Sequence, residues 1–179
     1  MKVWDLFVRL AHWSLAVCVL TAWFTGERKF NSAEAIHEWG GYAVLVVVAL
    51  RVAWGFIGPP YARFAQFAVG PSRTVAYAKG LVRGAEARYL GHNPLGAWMI
   101  FALLATAALA SLSGWLSITD RFWGVAWVQD THHVIGDGLI VLATLHVAGV
   151  VYTSLRQREN LVVAMFTGVK RPAEPGDVT

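Results

Sequence analysis

Of the six histidines in this 179-residue chain, His12, His37, His132 and His146 lie inside or at the mouth of apolar runs. An imidazole at membrane depth is costly to bury and marks a site of function more often than a site of packing. The spacing of the last two carries the most information. At 100° per residue, the interval from His132 to His146 returns to within about 40° of the starting direction, so both share one helix face. At 1.5 Å per residue they stand roughly 21 Å apart along the axis, near opposite sides of a hydrocarbon core ~30 Å thick. Histidines from other segments at matching depths would complete two stacked bis-imidazole sites. Paired axial nitrogens are the donor set of a haem iron.

A single intramembrane histidine is often just a hydrogen-bonded residue between helices. Several, matched in depth with a same-face pair, are harder to explain that way. Zinc or copper is the other ligand chemistry to weigh, but zinc takes at least three protein ligands. Each depth here offers only two histidines, with Asp137 as the one carboxylate deep in the last run. His133 competes with His132 as the ligand. Its interval to His146 lands about 140° away, which favours His132 on geometry but leaves the register open by one residue. Gly41 and Gly136 follow the outer histidines by one turn, and Ala16 follows His12. Small residues there let a flat macrocycle approach the backbone, and they serve ordinary helix packing equally well.

The elements that must position these side chains follow from composition. The chain is 56% hydrophobic with nine tryptophans, and its mean hydropathy is +0.49. Four apolar runs are each long enough to cross a bilayer as a helix: Leu6–Phe24, Ala35–Ile57, Leu95–Leu116 and Thr131–Leu155. The expected fold is all-α, an integral membrane four-helix bundle formed by residues 1–171. Asn93 and Pro94 supply a cap and a first-turn proline for the third run. The one cysteine, Cys18, excludes an intrachain disulfide and a four-cysteine iron–sulfur centre; a small core residue is the simple account of it. The N-terminal run lacks a small-x-small cleavage pattern and reads as an uncleaved first span.

Charge sets the expected orientation. Lys2, Arg63, Arg73, Lys79, Arg83, Arg88, Arg156, Arg158, Lys170 and Arg171 fall on one side, against Arg28, Lys29 and Arg121 on the other. By the positive-inside rule both termini are cytoplasmic, in a bacterial inner membrane crossed several times. The pI of about 9.5 thus reflects lipid contact and orientation rather than nucleic acid. Between the second and third runs, Val75, Ala78, Val82, Ala85 and Tyr89 form a stripe within Ser72–Tyr89, predicting an amphipathic helix on the cytoplasmic membrane surface. Residues 172–179 read as a disordered tail. Trp4, Trp13, Trp39, Trp115, Trp123 and Trp127 fall toward the two interfaces as an aromatic belt would.

Seven stretches carry a family resemblance: Trp4-Asp5 with Arg9 and His12-Trp13, His37 to Tyr42, Arg51 to Gly58, Tyr61 to Phe64, Gly91 to Pro94, Leu145 to Gly149, and Arg158 to Leu161. With these, the chain resembles the prokaryotic cytochrome b561 and hydrogenase-type cytochrome b family, four-helix membrane proteins with two b haems. The resemblance covers nearly the whole chain in order. It implies axial ligands at His12, His37, His132 and His146, pairing His12 with His146 on the inner side and His37 with His132 on the outer. Arg9 and Arg51 become candidates for the haem propionates, with snorkelling to lipid phosphate as the alternative. Asp137 is either a proton relay or an interhelical hydrogen-bonding group. His92 is either a loop and capping residue or a titratable group at a quinone site.

The implied role is electron transfer between a quinone pool (ubiquinone or menaquinone) and a redox partner. That partner is a periplasmic c-type cytochrome, or the chain is the haem-bearing membrane subunit of a hydrogenase or dehydrogenase complex, or it acts alone by oxidising a small diffusible reductant. No nucleophile–base pair or nucleotide loop suggests a catalytic residue of the chain's own. Glu27, Glu34, Glu38, Asp120 and Asp130 give the outer side a mildly acidic character that would steer a basic partner.

Overall fold

The computed structural model describes residues 1–26 and 32–178; Glu27, Arg28 and Lys29 lie outside the described residues. The chain is all-α. Four long helices, α1 (Leu6–Gly26), α2 (Ala33–Ile57), α5 (Pro94–Ser117) and α6 (Ala126–Gln157), are each long and apolar enough to cross a bilayer. Shorter pieces fill the connections: a 3₁₀ turn at Pro60–Ala62, α3 (Phe64–Phe67), α4 (Pro71–Arg83) and α7 (Leu161–Thr167).

Local chemistry explains where these helices begin and end. Asp5 caps α1 by accepting the Val8 N–H at 3.1 Å. Asn93 caps α5 through the Gly96 N–H at 2.8 Å, with Pro94 as the first helical residue. Asn160 caps α7 through Val163 at 2.9 Å, and Gly168, at φ 80°, closes it with a left-handed turn. The last long helix starts five residues earlier than the expected Thr131, because Ala126–Asp130 continue the helix through the Trp127 level.

The chain divides into two compact units. One comprises residues 1–9, 53–101 and 144–179, the other residues 10–52 and 102–143. The first has a core of Val3, Trp4, Val8, Ala62 and Ala164, packed by Trp54, Tyr61 and Met165. The second has a core of Val44, Val48, Ala107 and Leu139, with the half-buried Cys18 packed against it as a small apolar residue. Large apolar side chains face outward along the spans, among them Phe56, Val134 and Leu155. That reverses the usual burial pattern of a protein in water and suits lipid as the solvent.

Three expectations need correction. The connecting helix does not run to Tyr89: Gly84, at φ 70°, ends α4 after Arg83, and Tyr89 pairs through its backbone with Val178 instead. The tail is not without structure. Asp177 holds Arg88 at 2.5 Å, Val178 N–H donates to Arg88 O at 2.8 Å, and Leu90 N–H donates to Val178 O at 2.9 Å. These contacts recover the ordering entropy that its polar composition alone would not. Trp4 is not part of an interfacial belt, since it is buried in the first unit's core. Trp39, Trp123 and Trp127 are exposed, as the belt requires.

Candidate haem-binding site

The second unit brings His37 of α2 and His132 of α6 together. Their ring centroids lie 5.8 Å apart with planes at 87°. The Nδ1 of His37 lies 2.7 Å from Ala22 O, and that of His132 lies 3.0 Å from Ala110 O. A carbonyl oxygen only accepts, so in both rings Nδ1 carries the proton and donates. Each Nε2 is thereby left with its lone pair as the ligating position. This is how metal-bound histidines are commonly held: a backbone acceptor fixes tautomer and ring direction together. Ser113 adds to the set, its hydroxyl donating to Ala110 O at 3.0 Å and accepting from His132 Nδ1 at 3.2 Å.

Glycines make room for both imidazoles. A Cβ on Gly114 would sit 2.9 Å from His132 Cε1, and one on Gly26 would sit 2.9 Å from His37 Cε1 and Nδ1. Neither position was singled out from sequence, because the glycine and its histidine are far apart along the chain. Gly41 and Gly136, which were singled out, play a different part. A Cβ on either meets no atom within 4 Å, so open volume faces both positions one turn beyond the histidines. Metal–imidazole bonds of about 2 Å place two rings on one iron with centres roughly 6 Å apart. The observed separation, the two directed nitrogens and the open volume beside the glycines fit a bis-imidazole porphyrin. Among the described residues there is no cluster of three or more His, Cys, Asp or Glu that could hold a bare metal ion.

His133 is exposed, and its ring centroid lies 6.0 Å from that of His132. Of the two adjacent histidines, His132 is the one whose ring meets that of His37. Asp137 is exposed on α6, so it does not point into this site. His12 is half-buried on α1 with its ring edge-on to Trp13 at 5.0 Å, and His146 is half-buried on α6.

Arg51 is 6% exposed near the end of α2. Arg9 turns one guanidinium nitrogen to the Phe166 carbonyl, with its chain packed beside Gly168. The exposed carbonyls at the end of α7 are natural acceptors for such a cation. His92 packs against Trp4 and Phe67, each ring centroid 4.6 Å away with planes tilted by 42° and 58°, and so is a packed residue of the first unit as well as a neighbour of the α5 cap.

Sequence reading missed the charged group in this same unit. Arg88 forms salt bridges with Glu159 at 3.0 Å and with Asp177 at 2.5 Å. Lys170 is 6% exposed; its Nζ lies 3.5 Å from the carbonyls of Tyr89 and Gly91 and 5.5 Å from the Trp4 ring centre. Burial drives the Lys170 ammonium down to about 8, against the pull of Glu159. Burial alone would raise Glu159, but the Arg171 N–H and the Arg88 guanidinium hold its carboxyl below the usual range. Only the cap-like Asn160 and the glycine at 168 hinted that this segment was ordered.

The sequence pattern of the prokaryotic cytochrome b561 family matches residues 3–168. The chain is 27% identical to a probable Ni/Fe-hydrogenase B-type cytochrome subunit of Azotobacter vinelandii, over 93% of this chain and 86% of the relative. It is 25% identical to the corresponding protein of Rhizobium leguminosarum bv. viciae, over 93% and 87%. With the Azotobacter chroococcum mcd 1 protein the identity is 26%, over 93% and 86%. No solved structure matches the chain. A match along nearly the whole length, four membrane-crossing helices and a directed histidine pair lead to one conclusion: the chain belongs to the prokaryotic cytochrome b561 family and is a membrane-bound b-type cytochrome.

Proposed function

We propose that this protein carries two b haems, with His37 and His132 as axial ligands of one and His12 and His146 of the other. In this role it moves electrons across the bacterial inner membrane between the quinone pool and a redox enzyme to which it is bound. Bound haem supplies one-electron chemistry; the chain supplies the axial nitrogens, their tautomers and an apolar enclosure. The observation that carries this reading is the His37–His132 pair, each with Nδ1 donating to a backbone carbonyl. The same-face spacing of His132 and His146 supports the second site. Arg51, buried near the end of α2, and Arg9, which also serves the Phe166 carbonyl, are both candidate propionate partners. Residues 1–171 form the functional bundle, with both termini cytoplasmic by the distribution of Lys and Arg.

The names of the relatives favour a hydrogenase-type complex as the electron source. The purified protein should show a reduced-minus-oxidised b-type absorption spectrum and close to two haems per chain by pyridine haemochrome. Hydrogen-dependent quinone reduction should appear when the chain is reconstituted with the enzyme it co-purifies with. A single haem per fully loaded chain would remove the inner site from the proposal, and the absence of b-type bands would remove both.

A second reading, docking of a basic periplasmic c-type cytochrome, is favoured by the exposed Glu34, Asp120 and Asp130. It requires electron transfer to slow as salt rises. Reversing the charge of Glu34 and Asp130 together should flatten that dependence. A rate indifferent to salt and to the double reversal sinks this partner and leaves the haem sites untouched.

A further inference from the structure

The short helix α4 exposes an apolar stripe that nothing in the chain covers among the described residues. Val82 is 90% exposed and Val75 52% exposed, with Ala78 between them on the same face. With Lys79 and Arg83 these residues line a shallow groove of about 330 Å³. The other face is fixed to its own unit. Tyr77 is buried, and the Trp98 indole N–H donates to Thr74 Oγ1 at 3.0 Å. Just beyond the helix, Arg156 lies against Gly84 and holds Glu86 at 2.9 Å.

These anchors set the depth of α4. Trp98 lies in the second turn of membrane-crossing α5, half-exposed, where an amphipathic indole sits at headgroup level. Arg156 lies in the last turn of α6. Through these contacts α4 and the turn that follows it are held at the start of α5 and the end of α6, with Val75 and Val82 uncovered. Lys79 and Arg83, four and eight residues after Val75, run along one edge of the stripe. Arg73 lies well away from it.

We infer that this groove binds an anionic phospholipid, with an acyl chain along Val75, Ala78 and Val82 and the headgroup phosphate between Lys79 and Arg83. An apolar floor with two cations on one edge matches such a lipid in both shape and charge. A zwitterionic lipid would satisfy the floor, but its choline would meet the cations unfavourably.

Two measurements on the full-length protein test this. In the first, Val82→Cys on a Cys18→Ala background is nitroxide-labelled in nanodiscs, and its collisions with oxygen and with a water-soluble nickel chelate are compared. Oxygen should dominate; dominance of the chelate would place the face in water and overturn the proposal in favour of a soluble partner. In the second, retention of phosphatidylglycerol and phosphatidylcholine by the detergent-purified protein is compared by native mass spectrometry. At about fivefold per basic side chain, the preference for the anionic lipid should be on the order of 25-fold. It should vanish in Lys79→Gln/Arg83→Gln and persist in Arg73→Gln. Equal retention of both lipids, or a preference that survives the double substitution, would overturn the assignment. The haem spectrum of each variant verifies that the fold is intact.

Discussion

The two compact units solve opposite problems with histidines and charges. One unit holds His37 and His132. Each imidazole is aimed by one backbone carbonyl, and glycines clear the space around the rings. In the unit holding the N-terminus and the C-terminal segment, order comes from a charged set in which Arg88 joins Glu159 and Asp177 beside the buried Lys170. The first arrangement orients donors and leaves them reactive. The second consumes its donors, since Arg88 and Arg156 face carboxylates and Lys170 faces backbone carbonyls. A histidine in the first setting has its Nε2 left free for a ligand bond, as the proposed role requires; His92 in the second packs against the rings of Trp4 and Phe67.

The sharpest way to break that contrast is through the ion pairs. Glu159→Ala leaves the largely buried Arg88 guanidinium with Asp177 alone and the Arg171 N–H without its carboxylate acceptor, and losing one partner of a buried pair costs about 3–5 kcal/mol. Thermal unfolding in detergent should fall accordingly, by far more than for any single change among the second unit's polar groups. A loss below about 1 kcal/mol would mean the pair is a surface contact.

Lys170 sharpens the comparison through pH. Its ammonium titrates near 8 when folded, below its ordinary value of 10.5. Between those values the unfolded chain binds the extra proton, so stability should rise with pH across that window, by up to a few kcal/mol. Lys170→Met should flatten the rise. A wild-type protein with no gain between pH 8 and 10.5 would show that the ammonium is better solvated than its burial implies.

Smaller effects belong to the histidine site. Gly114→Ala puts a methyl group 2.9 Å from His132 Cε1, an overpacking expected to cost about 1–3 kcal/mol and to displace the ring. The low-spin haem signal in electron paramagnetic resonance should shift, whereas Gly138→Ala, which meets nothing within 4 Å, should leave it unchanged. The smallest change is Ser113→Ala. His132 keeps the Ala110 carbonyl, so haem content should hold, with affinity reduced by less than about tenfold.

What sequence could reveal here tracked the range of the interaction. Helix caps such as Asn93 and Asn160 act within three residues, and membrane spans are written in long apolar runs, so both were open to reading from the chain alone. The same-face relation of His132 and His146 followed from helix periodicity. Gly26 and Gly114 were silent, since the imidazoles they accommodate come from other helices. The Arg88–Glu159–Asp177 group was silent for the same reason: its members are separated by most of the second half of the chain. The apparent length of α4 misled because the stripe of Ala85 and Tyr89 kept its period past Gly84, where the backbone turns left-handed.

The central claim, that His37 and His132 are the ligands of one haem, is tested most directly by haem content across three single variants. Pyridine haemochrome of purified His37→Ala and His132→Ala should each show one haem lost and the other retained, with His133→Ala unchanged from the wild type. Loss of haem in His133→Ala with retention in His132→Ala would contradict the account.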